Sequence, residues 1–181
     1  MSHPARIVQD VSPITMPLTR IRELYVVELS EIYESEQEIL RQLPLMAACA
    51  SSDGLREAFE AHYRATYRHV DRLAEIFDHL DERRRHTPAP AIHGLVEEAR
   101  VRQSFLERGD LLDLALVDAG RRMEHYEMAA YHAALTYARR LSDTTGLALL
   151  LDTLDDERQM DEQLEVLLAA PVAPASRVTA A

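Results

Sequence analysis

The chain is 181 residues long and 47% hydrophobic, which fits one globular domain of ~100–200 residues and excludes wholesale disorder. Its formal net charge of −11 argues against binding to nucleic acid or to an anionic membrane surface, because both attract basic proteins. Cys49 is the only cysteine, so an internal disulfide is excluded.

Two further features favour a cytoplasmic location. No apolar run in the sequence approaches the ~20 residues that a membrane-spanning helix needs. Residues 1–17 do not combine a basic segment with an apolar stretch, as a secretory signal requires. We therefore expect a cytoplasmic protein that has neither membrane nor nucleic-acid partners.

The N-terminal half of the chain predicts an arm followed by one helical hairpin. Residues 1–16 contain two prolines and no sustained period, which predicts a flexible arm. Apolar residues at helical spacing then predict helix A over about residues 18–50 and helix B over about residues 55–80. Residues 51–54 include N-cap types and form a short turn, so helices A and B are expected to be antiparallel neighbours.

A long connection, residues 81–109, separates this hairpin from the next helix. Within it, residues 92–106 predict a short extra helix. Helix C then begins at Asp110 and runs to about residue 140. Asp110 and Asp113 are spaced like a capping box, which predicts that their side chains cap the start of this helix.

The last helix and the overall pattern define the fold. After a turn at residues 142–146, a leucine stripe predicts helix D over 147–168, and residues 170–181 are expected to form a disordered tail. The sequence contains no alternating strand pattern. Two antiparallel helical hairpins joined by a long crossover with a short extra helix describe an all-α, ferritin-like four-helix bundle, which we assign to residues 17–169.

Helix C carries two glutamates, Glu124 and Glu127, one turn apart beside an apolar stripe that includes Met123. An isolated ionised carboxylate is very costly to bury, so such a group is protonated, paired or bound to a metal. Ion pairs with Arg121 or Arg122 would offset the cost of burying these two carboxylates without a metal. Metal binding requires that other helices bring matching groups to the same depth.

The depth of polar residues along the bundle provides this test. Glu36 and His69 each lie about sixteen residues from the A–B turn, ~24 Å at 1.5 Å per residue. Glu127 reaches about the same depth, and Glu157 and Asp161 of helix D fall at mid-bundle or slightly above. Each of the four helices therefore places a side chain that can bind a metal at nearly the same depth along the bundle axis, as a di-metal carboxylate site requires.

Other polar residues could either bind a metal or serve only in packing and hydrogen bonding. Glu98 becomes a candidate ligand if the short crossover helix covers an open side of the bundle. For His62, two turns from His69, a structural hydrogen bond is favoured. His125 points about 100° away from Glu124, so a packing role or a subunit contact is favoured over metal binding. The predicted metal ligands are Glu36, His69, Glu98, Glu124, Glu127, Glu157 and Asp161.

Several segments resemble one bacterial family. They include Tyr33-Glu34-Ser35-Glu36, Ala58-Phe59-Glu60-Ala61-His62, Met123-Glu124-His125-Tyr126-Glu127-Met128-Ala129-Ala130-Tyr131 and Thr153-Leu154-Asp155-Asp156-Glu157. Over about residues 18–168 the chain resembles the YciE/YciF family of ferritin-like, stress-associated proteins. The resemblance implies a rubrerythrin-like bundle, a homodimer and a di-iron site. The chain departs from the family at Pro88 and Ala89, a region in which relatives tend to carry a cysteine.

Two functions are compatible with these observations. The first is a di-metal carboxylate protein of the stress response that handles iron, oxygen or peroxide, with iron as the expected metal and manganese or zinc as alternatives. The second is a non-catalytic structural homodimer with a degenerate metal site. The absence of the Glu-x-x-His motifs of the usual di-iron template at the expected places supports this alternative. Neither a substrate nor a redox partner follows from the sequence.

Overall fold

The computed structural model describes residues 20–169, and the predicted arm at 1–16 and tail at 170–181 lie outside them. This part of the chain forms five α-helices: α1 (Ile21–Cys49), α2 (Asp53–His79), α3 (Pro90–Gln103), α4 (Asp110–Leu141) and α5 (Thr144–Leu168). No strand occurs in the described range. The all-α prediction is therefore confirmed, and the short helix in the crossover is present as α3.

The four long helices form the predicted ferritin-like bundle. The short turns make α1 and α2 one antiparallel hairpin, and α4 and α5 the other. α1 also packs against α4, and α2 packs against α5, which closes the bundle, while α3 lies on α4 and touches α1. Among the described residues, no helix is both long enough and apolar enough to cross a membrane.

At one end of the bundle, α4 holds the turn between α1 and α2. The carboxylate of Asp113 accepts hydrogen bonds from the backbone amides of Ser51 and Ser52, both at 2.7 Å. The predicted capping box is therefore wrong, because the Asp113 side chain binds another turn instead of the start of its own helix. This contact joins the two hairpins where α1 ends and α4 begins.

At the opposite end, Asp143 caps α5. Its carboxylate accepts hydrogen bonds from the Gly146 amide at 2.8 Å and from the Tyr25 hydroxyl at 3.1 Å. This side-chain cap explains why α5 begins at Thr144, earlier than the leucine stripe predicted. It also connects α5 to the start of α1.

The apolar core is divided into two clusters by a polar level. The cluster near the α1–α2 turn and α3 includes Ile39, Phe59, Leu116, Met123 and Leu164. The cluster near the other end includes Ile32, Leu73, Tyr131, Leu150 and Leu154. Along each long helix, buried polar residues lie between these two sets of apolar residues, so all four helices contribute to one polar level.

Replacing Gly146 by alanine is expected to lower the free energy of unfolding by ~1–3 kcal/mol, the usual cost of overpacking. The added Cβ would lie 2.1 Å from the Oδ2 atom of Asp143 and 2.6 Å from the Tyr25 hydroxyl. The cap of α5 would therefore have to shift. Urea denaturation measures the change.

Gly94→Ala in α3 is the matched control for this substitution. A Cβ at Gly94 would meet no atom of the described residues within 4 Å, so helix propensity alone predicts a gain of up to ~1 kcal/mol. Equal changes in the two variants would contradict the role assigned to the cap of α5.

Candidate metal centre

Six acidic and histidine side chains of the polar level point into the centre of the bundle. Each is at most 3% exposed. Helical spacing explains how pairs on one helix reach the same face, since residues three, four or seven positions apart lie on one side. α1 contributes Glu36, α2 contributes His62 and His69, α4 contributes Glu124 and Glu127, and α5 contributes Glu157.

The potential ligand atoms of these side chains fall into two groups. Within each group, the atoms lie within 4.8 Å of one another. The His62 group comprises His62, Glu124, Glu127 and Glu157, and the His69 group comprises Glu36, His69 and Glu157. The groups overlap because Glu157 belongs to both.

The two oxygens of Glu157 face different groups. Its Oε1 atom lies 3.1 Å from Nδ1 of His69, and its Oε2 atom lies 3.8 Å from Nε2 of His62. The centroids of the two imidazole rings are 6.2 Å apart. A carboxylate placed in this way can bridge two cations.

All six side chains have unused bonding capacity. Each has at least one buried nitrogen or oxygen atom without a hydrogen-bond partner among residues 20–169. Nδ1 of His69 lies 3.1 Å from Oε1 of Glu157, but neither atom has a hydrogen-bond partner among residues 20–169. An unsatisfied buried polar atom costs ~1–3 kcal/mol, so a bound cation would relieve several such costs at once. The donor set therefore fits a metal pair.

Two nearby hydroxyl groups have different roles. The buried Tyr131 hydroxyl donates a hydrogen bond to Oε1 of Glu36, which leaves Oε2 of that carboxylate facing His69 at 3.5 Å. The Thr66 hydroxyl donates to the backbone oxygen of His62 at 2.9 Å. Tyr131 therefore orients a side chain of the cluster, whereas Thr66 bonds within its own helix.

Burial and mutual repulsion affect the α4 glutamates most strongly. Burial, together with the negative charge of Glu157, raises the pKa of Glu124 and that of Glu127 well above the ordinary range. Both carboxyl groups therefore hold their protons more tightly than exposed glutamates do in the metal-free protein. Cation binding would displace these protons.

The two histidines differ in charge. Burial opposes protonation of His69, but the carboxylates of Glu36 and Glu157 outweigh it and raise the pKa of this imidazole to about 12. Burial would raise the pKa of Glu157, but the positive charge of His69 outweighs burial and lowers it. Burial lowers the pKa of His62 to about 4. Near neutral pH these opposite shifts favour an imidazolium at His69 and a neutral imidazole at His62.

Five of the seven residues that the sequence placed in the ligand set meet in this cluster. They are Glu36, His69, Glu124, Glu127 and Glu157. The structure does not bring Asp161 or Glu98 to them.

Asp161 lies on the outer side of α5, one turn beyond Glu157. Its carboxylate accepts hydrogen bonds from Nε of Arg121 at 2.7 Å and from Nη2 of the same residue at 3.2 Å. Nε2 of His125 lies 3.1 Å from it. The hydrogen bond from Arg121 lowers the pKa of Asp161. The position of Asp161 in the sequence sets its level along the bundle axis, but its side chain points away from the centre toward Arg121.

Glu98 lies in a surface network instead of over an open side of the bundle. Its carboxylate pairs with Arg102 and with Arg122, the latter at 3.5 Å, and Arg102 also pairs with Asp118 at 2.6 Å. The Glu98 side chain is 42% exposed. α3 therefore contributes apolar side chains to the core but no side chain to the cluster of potential ligands.

The sequence favours a structural hydrogen bond for His62, whereas the structure places this side chain among the potential ligands. Its signal was present in the sequence, because a seven-residue spacing puts His62 and His69 on one face of α2. Along the backbone, however, the two histidines are about two helical turns apart. The side chains lean toward each other and bring the rings to 6.2 Å.

Comparison with known proteins identifies the family. Residues 20–175 match the family described as a domain of unknown function (DUF892). YciF from Escherichia coli strain K12 is 29% identical to this chain over 150 residues, which cover 82% of this chain and 90% of that protein. The chain therefore belongs to the DUF892 family, and its resemblance to YciF is confirmed.

Solved structures show the same architecture. YcfI from Rhodopseudomonas palustris matches with a TM-score of 0.81 at 26% identity, covering 88% of this chain and 100% of that one. The E. coli stress protein YciF matches with a TM-score of 0.79 at 27% identity, covering 83% and 96%. A ferritin-like, diiron-carboxylate protein from Bacillus anthracis has the same fold, with a TM-score of 0.64 at 20% identity and coverage of 83% and 99%.

The raised pKa of Glu127 predicts a specific pH dependence. The pKa of this carboxyl group in the folded protein exceeds its unfolded value of 4.5. Its contribution to the free energy of unfolding is therefore fully present at pH values below 4.5. This contribution is lost as the pH rises through the folded-state pKa. Metal-free wild-type protein should therefore lose stability, relative to Glu127→Gln, as the pH increases from about 4.5 toward neutrality.

Denaturant titrations of chelator-treated protein at several pH values measure this difference. Glu162→Gln is the control, because it removes an exposed carboxylate from α5 and should leave the pH profile unchanged. Parallel profiles for wild type and Glu127→Gln would contradict the pKa assigned to this buried group.

Proposed function

We propose that this member of the DUF892 family is a di-metal carboxylate protein that binds a pair of iron ions and handles iron, oxygen or peroxide. The carboxylate of Glu157 carries the proposal, because its two oxygens face two separate groups of buried ligand atoms. Each group draws on more than one helix. The site therefore forms only when the helices pack together and does not correspond to a single sequence motif.

The chemistry of the donor set supports iron or manganese, with zinc also compatible. Carboxylate oxygen and imidazole nitrogen are the ligands that these metals accept, and no thiolate is present in either group. Four ionised glutamates would balance the charge of two divalent cations. One cation would take His62, Glu124 and Glu127, the other would take Glu36 and His69, and Glu157 would serve both.

The residues around the centre would control the access of water to it and the protonation of its ligands. An iron pair, when bound, supplies redox chemistry toward oxygen or peroxide. The apolar clusters on both sides keep bulk water from the ligand atoms. The protons of Glu124 and Glu127 leave on metal binding, so loading should release protons. E. coli YciF is described as a stress protein, which supports a stress-related role for this chain as well.

A non-catalytic helical module is the second candidate function. Nδ1 of His69 lies 3.5 Å from Glu36 and 3.1 Å from Glu157, so the centre balances part of its charge without metal. Buried polar groups of this kind can specify one packing arrangement of a helical bundle. On this account, the cluster would fix how the four helices align and would bind no cation.

Metal content separates the two candidates. Protein reconstituted with Fe²⁺ without oxygen should bind two equivalents, one for each group of ligand atoms, and its melting temperature should rise with the metal concentration. Glu157→Gln removes a ligand from both groups and should weaken binding of both equivalents by at least ~10-fold. Elemental analysis and thermal unfolding measure these effects.

Asp161→Asn is the control for the metal-binding measurement, since Asp161 pairs with Arg121 outside the cluster. It should keep both equivalents. Less than about one equivalent of iron, manganese or zinc in the reconstituted wild type would instead favour the non-catalytic module.

A further inference from the structure

We propose that Asp156 is a positioning residue that holds His69 so that Nδ1, and not Nε2, is presented to the metal of the His69 group. The inference rests on the proposed function of the centre. Asp156 does not belong to either group of potential ligands. It acts on the metal through His69.

Two consecutive residues of α5 hold opposite sides of the same imidazole ring. Oδ2 of Asp156 lies 3.3 Å from Nε2 of His69. Oε1 of Glu157 lies 3.1 Å from Nδ1, which also faces Oε2 of Glu36 at 3.5 Å. The ring is therefore oriented with one nitrogen toward Asp156 and the other toward the cluster.

Asp156 is itself held in place. Nη1 of Arg72 donates hydrogen bonds to Oδ2 of Asp156 at 2.7 Å and to the Thr153 hydroxyl oxygen at 3.2 Å. Nη2 of Arg68 lies 3.7 Å from the same carboxylate oxygen. Two cationic side chains thus fix Asp156 as an ionised acceptor beside a fully buried histidine.

An ionised carboxylate only accepts hydrogen bonds, so Nε2 of His69 must carry the proton that is shared with Asp156. The lone pair available to a cation is then on Nδ1. Such carboxylate–histidine–metal arrangements fix the ring orientation and make the imidazole a stronger ligand. His69 thus depends on Asp156 both for its orientation and for its choice of nitrogen.

Among residues 20–169, Asp156 forms this contact with the ring of His69 and not with that of His62. The atom of His62 that faces the cluster is Nε2, which lies 3.3 Å from Oε1 of Glu124. The two histidines therefore present different ring nitrogens. A change at Asp156 should affect the metal of the His69 group and leave the metal of the His62 group in place.

Titration with Co²⁺ tests this difference. Wild-type protein should bind two equivalents, and Asp156→Asn should bind one of them ~10–100-fold more weakly while retaining the other. The carboxamide can donate to Nε2, which would place the imidazole proton on the metal-binding nitrogen. Asp155→Asn is the matched control, since this exposed neighbour accepts a hydrogen bond from Gln159 at 2.9 Å and should bind as wild type does.

A second measurement uses the wild-type protein and does not depend on the folding of a variant. In long-range proton–nitrogen NMR spectra of the Zn²⁺-loaded protein, Nε2 of His69 should carry the proton and Nδ1 should show the metal-induced shift. The reverse assignment would overturn the inference, as would wild-type affinity for both Co²⁺ equivalents in Asp156→Asn. Wild-type protein that binds no Co²⁺ would overturn the proposed function itself, together with this inference.

Discussion

The burial of four glutamates and two histidines at one level imposes the main physical constraint on this bundle. Carboxylates leave water only at high cost unless they are paired, protonated or bound to a cation. Here Glu157 is paired with His69, whereas Glu124 and Glu127 have raised pKa values because burial and neighbouring charge disfavour their ionised forms. The apolar clusters on either side of the level must hold this arrangement together.

The sequence predicted the fold well because the fold follows from local periodicity. Apolar stripes at helical spacing define every long helix, and the short turns require antiparallel neighbours. The ends were harder to predict because they depend on contacts between distant segments. Asp113 is close in sequence to the start of α4 but binds the α1–α2 turn. α5 begins earlier than its leucines suggest because Asp143 caps it.

The candidate site could be predicted only in part. Depth along the bundle axis follows from residue counting, and it brought Glu36, Glu127 and Glu157 to one level. The direction of a side chain around its helix depends on the partners that it finds. Arginine holds Asp161 on the outer side of α5. His62 lies two turns from His69 along the backbone, and only the lean of the side chains brings the two rings together.

Anomalous X-ray scattering from crystals of the iron-loaded or manganese-loaded protein tests the central claim most directly. We predict two peaks at the centre of the bundle, one on each side of the Glu157 carboxylate. One peak should lie among His62, Glu124 and Glu127, and the other should lie beside Glu36 and His69. A bundle centre without a peak, or peaks confined to surface carboxylates such as Asp161, would contradict a di-metal function for this cluster.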